Sequence, residues 1–190
     1  MPYFKLIIWC WYVVIGFWLI RAFSNKRTVE RESMGNRMQY AVLFWAGILL
    51  LNGKGSFPQH DLMSLVILPH SEGVDLVGLI ITVMGLGLAI WARTTLGTNW
   101  SGTVTFKEGH ELIERGPYAY VRHPIYTALL LMFLGTAVAV GTLGGLVGLG
   151  CFFLSFWIKY RQEEALMTTH FGERYRDYMR RVKALIPMVF

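Results

Sequence analysis

Cysteine and charge are both scarce in this chain of 190 residues. The two cysteines, Cys10 and Cys151, lie inside apolar runs with no CxxC spacing and no neighbouring histidine. That rules out a disulfide framework or a cysteine metal site and leaves both as small hydrophobic side chains. No Gly-rich phosphate loop, GxSxG elbow, internal repeat or low-complexity tract occurs, which removes the nucleotide-loop and hydrolase readings tied to those motifs. His110, Glu111 and Glu114 form HExxE rather than HExxH, so no metal is expected. Charged residues make up only 16%, against 54% hydrophobic, with a mean hydropathy of +0.43. A soluble domain of this size could not hide so much apolar surface, so a polytopic membrane protein is expected.

About 20 apolar residues in a helix cross the hydrocarbon. Five stretches qualify: 3–22, 38–53, 74–93, 124–141 and 143–159. The first carries one early Lys5, has its stronger basic cluster after it and shows no small-residue cleavage site, so it reads as a retained span rather than a leader. Residues 54–73 hold an apolar patch, Leu62 to Leu68, too short to span. It lies at the interface or extends the second span through a break. The fourth and fifth spans meet at Gly141–Thr142 in a tight hairpin, and Gly141, Gly144, Gly145 and Gly148 give GxxxG spacings that suit close helix approach.

The 18 basic residues are distributed unevenly. Arg21, Lys26, Arg27, Arg31 and Arg37 follow the first span, and Arg93, Lys107, Arg115 and Arg122 follow the third. Lys159, Arg161, Arg174, Arg176, Arg180, Arg181 and Lys183 follow the fifth, while only Lys5 and Lys54 fall on the other side. The basic side is cytoplasmic, which puts the N-terminus outside and the C-terminus inside. It also assigns the basic charge to anionic membrane lipids rather than nucleic acid. After residue 159, Phe171, Tyr175, Tyr178 and Val182 recur at helical spacing among charged residues. They predict an amphipathic helix on the membrane surface, broken from the preceding helix at Gly172 and stopped near Pro187. The fold class is therefore all-α: five transmembrane helices plus a cytoplasmic amphipathic C-terminal helix. It forms one structural domain, with spans one to three in residues 1–93 and a second half, residues 94–190, made of a long polar loop, the helical hairpin and the C-terminal helix.

Two clusters carry the chemistry. In "ERGPYAYVRHPIYTALLL", Gly116 and Pro117 make a turn and Pro124 suits a first helical turn. Tyr118, Tyr120, Arg122, His123 and Tyr126 then stand beside the free amides of a helix start, a place for a carboxylate or phosphate. Interfacial anchoring by tyrosine and arginine explains that stretch equally well. In "WIKYRQEEALMTTHFGERYRDY", Glu163 and Glu164 directly follow a span, and Lys159 shares a helix face with Glu163. The hairpin brings the two clusters to one membrane boundary. The polar loop 94–123 is long for a connector, as functional loops are. His60, His70 and His170 have no evident partners in sequence and read as polar surface.

"LGTNWSGTVTFKEGHELIERGPYAYVRHPIYTALLL" followed by "EEALMTTHFGERYRDYMRRVKALIP" resembles the isoprenylcysteine carboxyl methyltransferases and the related membrane phospholipid methyltransferases. The likeness covers roughly residues 94–188. It implies an integral-membrane enzyme using S-adenosylmethionine without a Rossmann-type domain. The cofactor contacts it implies are His110, Glu111, Leu112 and Ile113, then Tyr118, then His123, Pro124, Ile125 and Tyr126, with Glu163, Glu164 and Thr103. Lys159 stands where the family has an acceptor-side arginine, so charge is kept and the bidentate fork is lost. Arg161 is a substitute for it. Lys159, Glu163 and Arg161 are therefore the expected catalytic set. Helix-start amides or His123 would hold the donor's carboxylate, Glu163 its amino or ribose groups, and tyrosine faces its sulfonium. The expected acceptor is lipid-like or isoprenoid. A carboxylate is favoured over an amine, since it needs no general base and is attracted by Lys159. The alternatives are a phospholipid amine N-methyltransferase, an NADPH-dependent sterol-type reductase and a non-enzymatic membrane scaffold.

Overall fold

A computed structural model of the chain describes residues 2–22, 27–52 and 61–188. Helices α1 (Pro2–Ala22), α2 (Met34–Leu51), α3 (Glu72–Leu96), α4 (Pro124–Val140) and α5 (Leu143–Phe171) form the body, and α6 (Glu173–Arg181) completes it. Among the described residues, three helices are long and apolar enough to cross a membrane: Tyr3–Ala22, Glu72–Asn99 and Leu143–Phe171. The other two predicted spans coincide with α2 and α4, of 18 and 17 residues. Lys26, Lys54 and His60 fall outside the described residues.

Local chemistry sets the boundaries. The Ser71 hydroxyl caps α3 by accepting from the Val74 amide at 3.3 Å. Pro124 opens α4, and Gly141, at φ +68°, closes it in the left-handed conformation. Thr142 then caps α5 through its hydroxyl, which accepts from the Gly145 amide at 3.2 Å. Helix α5 runs twelve residues past the predicted end of the fifth span, because only Gly172, at φ +56°, breaks it.

Small residues set the packing. A Cβ on Gly135 of α4 would run into the Gly78 carbonyl and Thr82 of α3, and a Cβ on Gly148 of α5 would come within 2.9 Å of the Gly47 carbonyl of α2. Gly144 and Gly148 thus make the close approaches their spacing implied, while Gly78 and Gly135 make another that no GxxxG spacing marked. Between these seams Phe133 stacks on Phe152 with ring centroids 3.5 Å apart, and Phe44 and Phe156 surround them. Cys10 is buried here and Cys151 is half-buried, both as free thiols.

The far end is closed by backbone. The Ile67 and Leu68 amides donate to the Gly141 carbonyl at 2.8 and 3.1 Å, and the Leu143 amide donates to the Leu65 carbonyl at 2.9 Å. The Leu62–Leu68 patch therefore lies over the α4–α5 turn and does not extend the second span. His70 rests against the same turn beside Gly141.

The near end departs from the sequence reading in two ways. First, the body is helical, as expected, but it also carries a short antiparallel ribbon of β1 (Thr28–Arg31) and β2 (Thr105–Lys107). Second, α6 does not lay its apolar face on the membrane. Tyr175, Tyr178 and Val182 are buried against Leu112, Met167, Phe171 and Met179 of the protein itself. Amphipathic spacing reports a one-sided burial, and here the partner is protein. The helix ends at Val182, well before Pro187, where the backbone turns extended. The tail then runs back to the start of α4: Arg122 and His123 amides donate to Lys183 and Ala184 carbonyls at 2.8 and 3.0 Å.

Candidate active site

The geometry starts at the 3₁₀ turn Gly116–Ala119, where Gly116 takes φ +61° and Pro117 fixes the next residue. This turn buries Tyr118, and the Tyr178 hydroxyl donates to the Tyr118 carbonyl at 2.6 Å, tying α6 beneath it. The chain then enters α4 through His123. The ring stacks between Tyr126 and Tyr160, with centroids 5.6 and 5.0 Å away. Its Nδ1 lies 3.5 Å from Glu163 Oε2 and its Nε2 lies 3.0 Å from Glu164 Oε1. The Tyr126 hydroxyl donates to Glu163 Oε1 at 2.5 Å. Arg122 reaches Glu164 at 2.7 Å and also donates to the carbonyls of Met179 and Val182.

Burial alone would push the His123 imidazole down. The hydrogen bonds to Glu163 and Glu164, with their charges, outweigh it, and the ring is held above the ordinary histidine value. Tyr118, Tyr175 and Tyr178 are raised well above the usual phenol range, chiefly by burial. All three remain neutral hydroxyls at physiological pH.

Lys159 and Glu163 share a face of α5 but do not form an ion pair. Lys159 Nζ instead donates to the Gly102 carbonyl at 2.7 Å and lies 5.3 and 5.5 Å from the ring centroids of Tyr40 and Tyr126. The ammonium thus stands among aromatic faces and one backbone carbonyl, with its charge uncancelled by a direct carboxylate contact.

These groups border one cavity of about 600 Å³. Of the residues singled out from sequence, Thr103, His110, Glu111, Leu112, Ile113, Tyr118, His123, Ile125, Tyr126, Lys159 and Glu163 line it. Pro124 is buried in the helix start and does not. Glu164 sits behind the wall, engaged by Arg122 and His123. Arg161 is exposed and away from the cavity, because two residues along a helix turn a side chain roughly 200° from Lys159 and Glu163. Four of the amides around the start of α4 are already engaged. The Arg122 and His123 amides are taken by the tail and those of Tyr126 and Thr127 by the His123 carbonyl. His170, expected as bare surface, pairs with Glu30 of β1 at 2.7 Å and stacks on Phe106 at 3.7 Å, while His110 stacks on Phe106 at 5.0 Å.

Sequence reasoning missed the first half of the chain. Arg37, Tyr40, Ala41, Phe44 and Trp45 of α2 and Trp18 of α1 line the same cavity. Their i, i+3, i+4, i+7, i+8 spacing on α2 marks a face, but spacing alone does not say what that face meets. Trp18 Nε1 and Thr105 Oγ1 are buried at the wall with no hydrogen-bond partner among the described residues.

The family model described as phospholipid methyltransferase matches residues 74–174. Among curated relatives, the Mus musculus protein-S-isoprenylcysteine O-methyltransferase is 33% identical over 182 residues, covering 90% of this chain and 60% of the relative. The Schizosaccharomyces pombe protein of the same name is 34% identical over 112 residues, covering 56% and 46%. The chain spans about half to three-fifths of the length of these relatives. A solved structure of the eukaryotic intramembrane Ras methyltransferase, isoprenylcysteine carboxyl methyltransferase, has the same fold over 83% of this chain and 54% of that one, at a TM-score of 0.56 and 24% identity.

Proposed function

This chain belongs to the phospholipid methyltransferase family, and from that premise we propose that it is an integral-membrane enzyme that methylates the carboxylate of a lipid-like, isoprenylcysteine-type acceptor with S-adenosylmethionine. The observation that carries the reading is the convergence of both sequence clusters on one cavity, with His123 3.5 Å from Glu163 and Lys159 one turn away. We read α1 to α5 as five spans, N-terminus outside, with the cavity and C-terminus cytoplasmic. Arg21, Arg37, Arg93 and Arg122 all stand toward the cavity end, as the basic bias requires. Residues 1–93 and 94–190 act as one structural domain, since α1 and α2 supply part of the cavity wall.

The cavity suits such a donor. Its volume falls within the roughly 300–1,000 Å³ of small-molecule sites. It offers carboxylates at Glu111 and Glu163 for amino or ribose groups, tyrosine faces for a cation, and partnerless polar atoms on Trp18 and Thr105. Bound S-adenosylmethionine supplies an electrophilic methyl on a sulfonium. Glu163, fixed by Tyr126 and His123, holds the donor's cationic or hydroxyl groups, and Thr103, His110, Glu111, Leu112, Ile113, Tyr118 and Ile125 complete its walls. His123 acts through Glu163, because both its ring nitrogens face glutamates. Lys159 orients the acceptor carboxylate, which attacks without a base. A protonated amine in the same place would be repelled. Tyr40, Phe44, Trp45 and Phe156 keep water from the reacting atoms. Positioning of this kind supplies much of the rate in a displacement.

Equilibrium dialysis of purified protein with labelled S-adenosylmethionine tests the assignment. Saturable binding that NADPH does not displace is expected. Saturable NADPH binding without S-adenosylmethionine binding would replace the methyltransferase with a reductase.

A further inference from the structure

Glu164 is 5% exposed and does not line the cavity, yet both Arg122 and His123 converge on it. Its Oε1 alone accepts from Arg122 Nε at 2.8 Å, meets Arg122 Nη2 at 2.7 Å and faces His123 Nε2 at 3.0 Å. An ionised carboxylate only accepts, so His123 Nε2 carries a hydrogen. The opposite ring nitrogen faces Glu163 Oε2 at 3.5 Å, and stacking against Tyr126 and Tyr160 holds the ring in place. Charge therefore alternates along Arg122, Glu164, His123 and Glu163.

We propose that Glu164 is a positioning residue: by fixing the hydrogen on His123 Nε2 and holding the ring as an imidazolium, it makes Nδ1 a donor that aims the Glu163 carboxylate at the methyl donor. This rests on the cavity being the donor site. With both ring hydrogens present, each glutamate meets a donor. With one, the hydrogen stays on Nε2, and Nδ1 turns a lone pair toward Glu163 Oε2. Two acceptors then face each other, and of these two partners Glu163 keeps only the Tyr126 hydroxyl. The groups facing the ring are Glu163, Glu164 and Tyr160 from α5, Tyr126 from α4 and Arg122 beside it. From the tail, the Ala184 carbonyl accepts from the His123 backbone amide. A glutamine at 164 would keep its carbonyl toward Arg122, whose two N–H groups point at that oxygen. The neutral ring would therefore still carry its hydrogen on Nε2, but with less to hold the second one.

The test is donor affinity against pH for the wild type, Glu164→Gln and Glu164→Asp, in detergent. Wild-type affinity falls on the alkaline side. In Glu164→Gln that fall moves to lower pH by about one unit, while affinity near pH 5.5, where both rings are charged, stays within about threefold of wild type. Glu164→Asp, which keeps the charge, returns the fall toward the wild-type pH. A uniform loss at every pH, with the fall unmoved, would mean Glu164 is merely structural and would overturn the proposal. Should Glu164→Gln fail to fold, nitrogen-15 histidine spectra of the wild type decide. Two ring N–H signals for His123 near pH 7 support the role, and a singly protonated ring overturns it. A wild type that binds no S-adenosylmethionine would instead sink the donor-site reading, and the histidine spectra would remain interpretable.

Discussion

At the hairpin end of α4 and α5, the Gly141 carbonyl takes the Ile67 and Leu68 amides, and glycines let the backbones touch. At the cavity end, α5 carries Lys159, Glu163 and Glu164, and Arg122 and His123 stand just before α4. The buried acid Asp75 sits in the first turn of α3, where helix amides favour negative charge. One end is closed by shape and backbone bonding. The other is held by charge, which is costly to bury unless each member is met. That contrast separates fold from chemistry, because changes at the first end should cost structure and changes at the second should cost binding.

The largest effect is expected at Gly135. Leucine there would drive into the Gly78 carbonyl and Thr82 and should destabilise by about 3 kcal/mol or more, read as loss of folded protein in thermal unfolding. Gly87, with open space around its Cα, should accept leucine with no change. Next is Glu163→Ala, expected to weaken donor binding on the order of 100-fold, with a smaller fall in melting temperature than Gly135→Leu because Glu164 still meets His123. A large fall in melting temperature would blur the contrast. Removing the chain after Val182 comes third. It deletes the carbonyls that receive the Arg122 and His123 amides and the Thr127 hydroxyl, and should lower donor affinity about tenfold in the same dialysis assay.

Much of the cavity end was legible in sequence because its chemistry is contiguous. The run from Arg122 to Tyr126 and the pair Glu163–Glu164 each fall within one helical turn or its threshold, and Gly141–Thr142 brings them together. What was not legible depends on a partner. The face bearing Tyr175 and Tyr178 has the same spacing whether lipid or protein covers it. The α2 face from Arg37 to Trp45 reveals its target only once α2 is packed on α5. The ribbon of Thr28–Arg31 with Thr105–Lys107 is too short to show a two-residue period. Gly78 and Gly135 meet across two helices, and no single helix records that. Arg161 matches Lys159 in charge, but helical phase turns it away from the cavity.

Two smaller effects concern charge at the cavity end. His123 has a raised folded-state value, so its contribution to stability is fully present below about pH 6.5. It is lost as pH rises through the higher folded value. Thermal unfolding followed from mildly acidic to mildly alkaline pH should show a falling melting temperature across neutrality and above, and a flat profile would remove the charged ring from the account. Lys159→Ala should lower kcat/KM for the acceptor about tenfold with donor affinity unchanged, and Lys159→Arg should recover most of it. Equal loss of donor and acceptor terms would mean the two roles are not divided as described.

The most direct measurement is the chemical nature of the methylated product. Purified protein is incubated with methyl-labelled S-adenosylmethionine and a prenylated cysteine in lipid vesicles, and the lipid fraction is treated with base. Release of the label as methanol is the result expected, because a carboxyl methyl ester is base-labile. Label that survives base on a headgroup nitrogen would contradict the carboxylate assignment and the role given to Lys159.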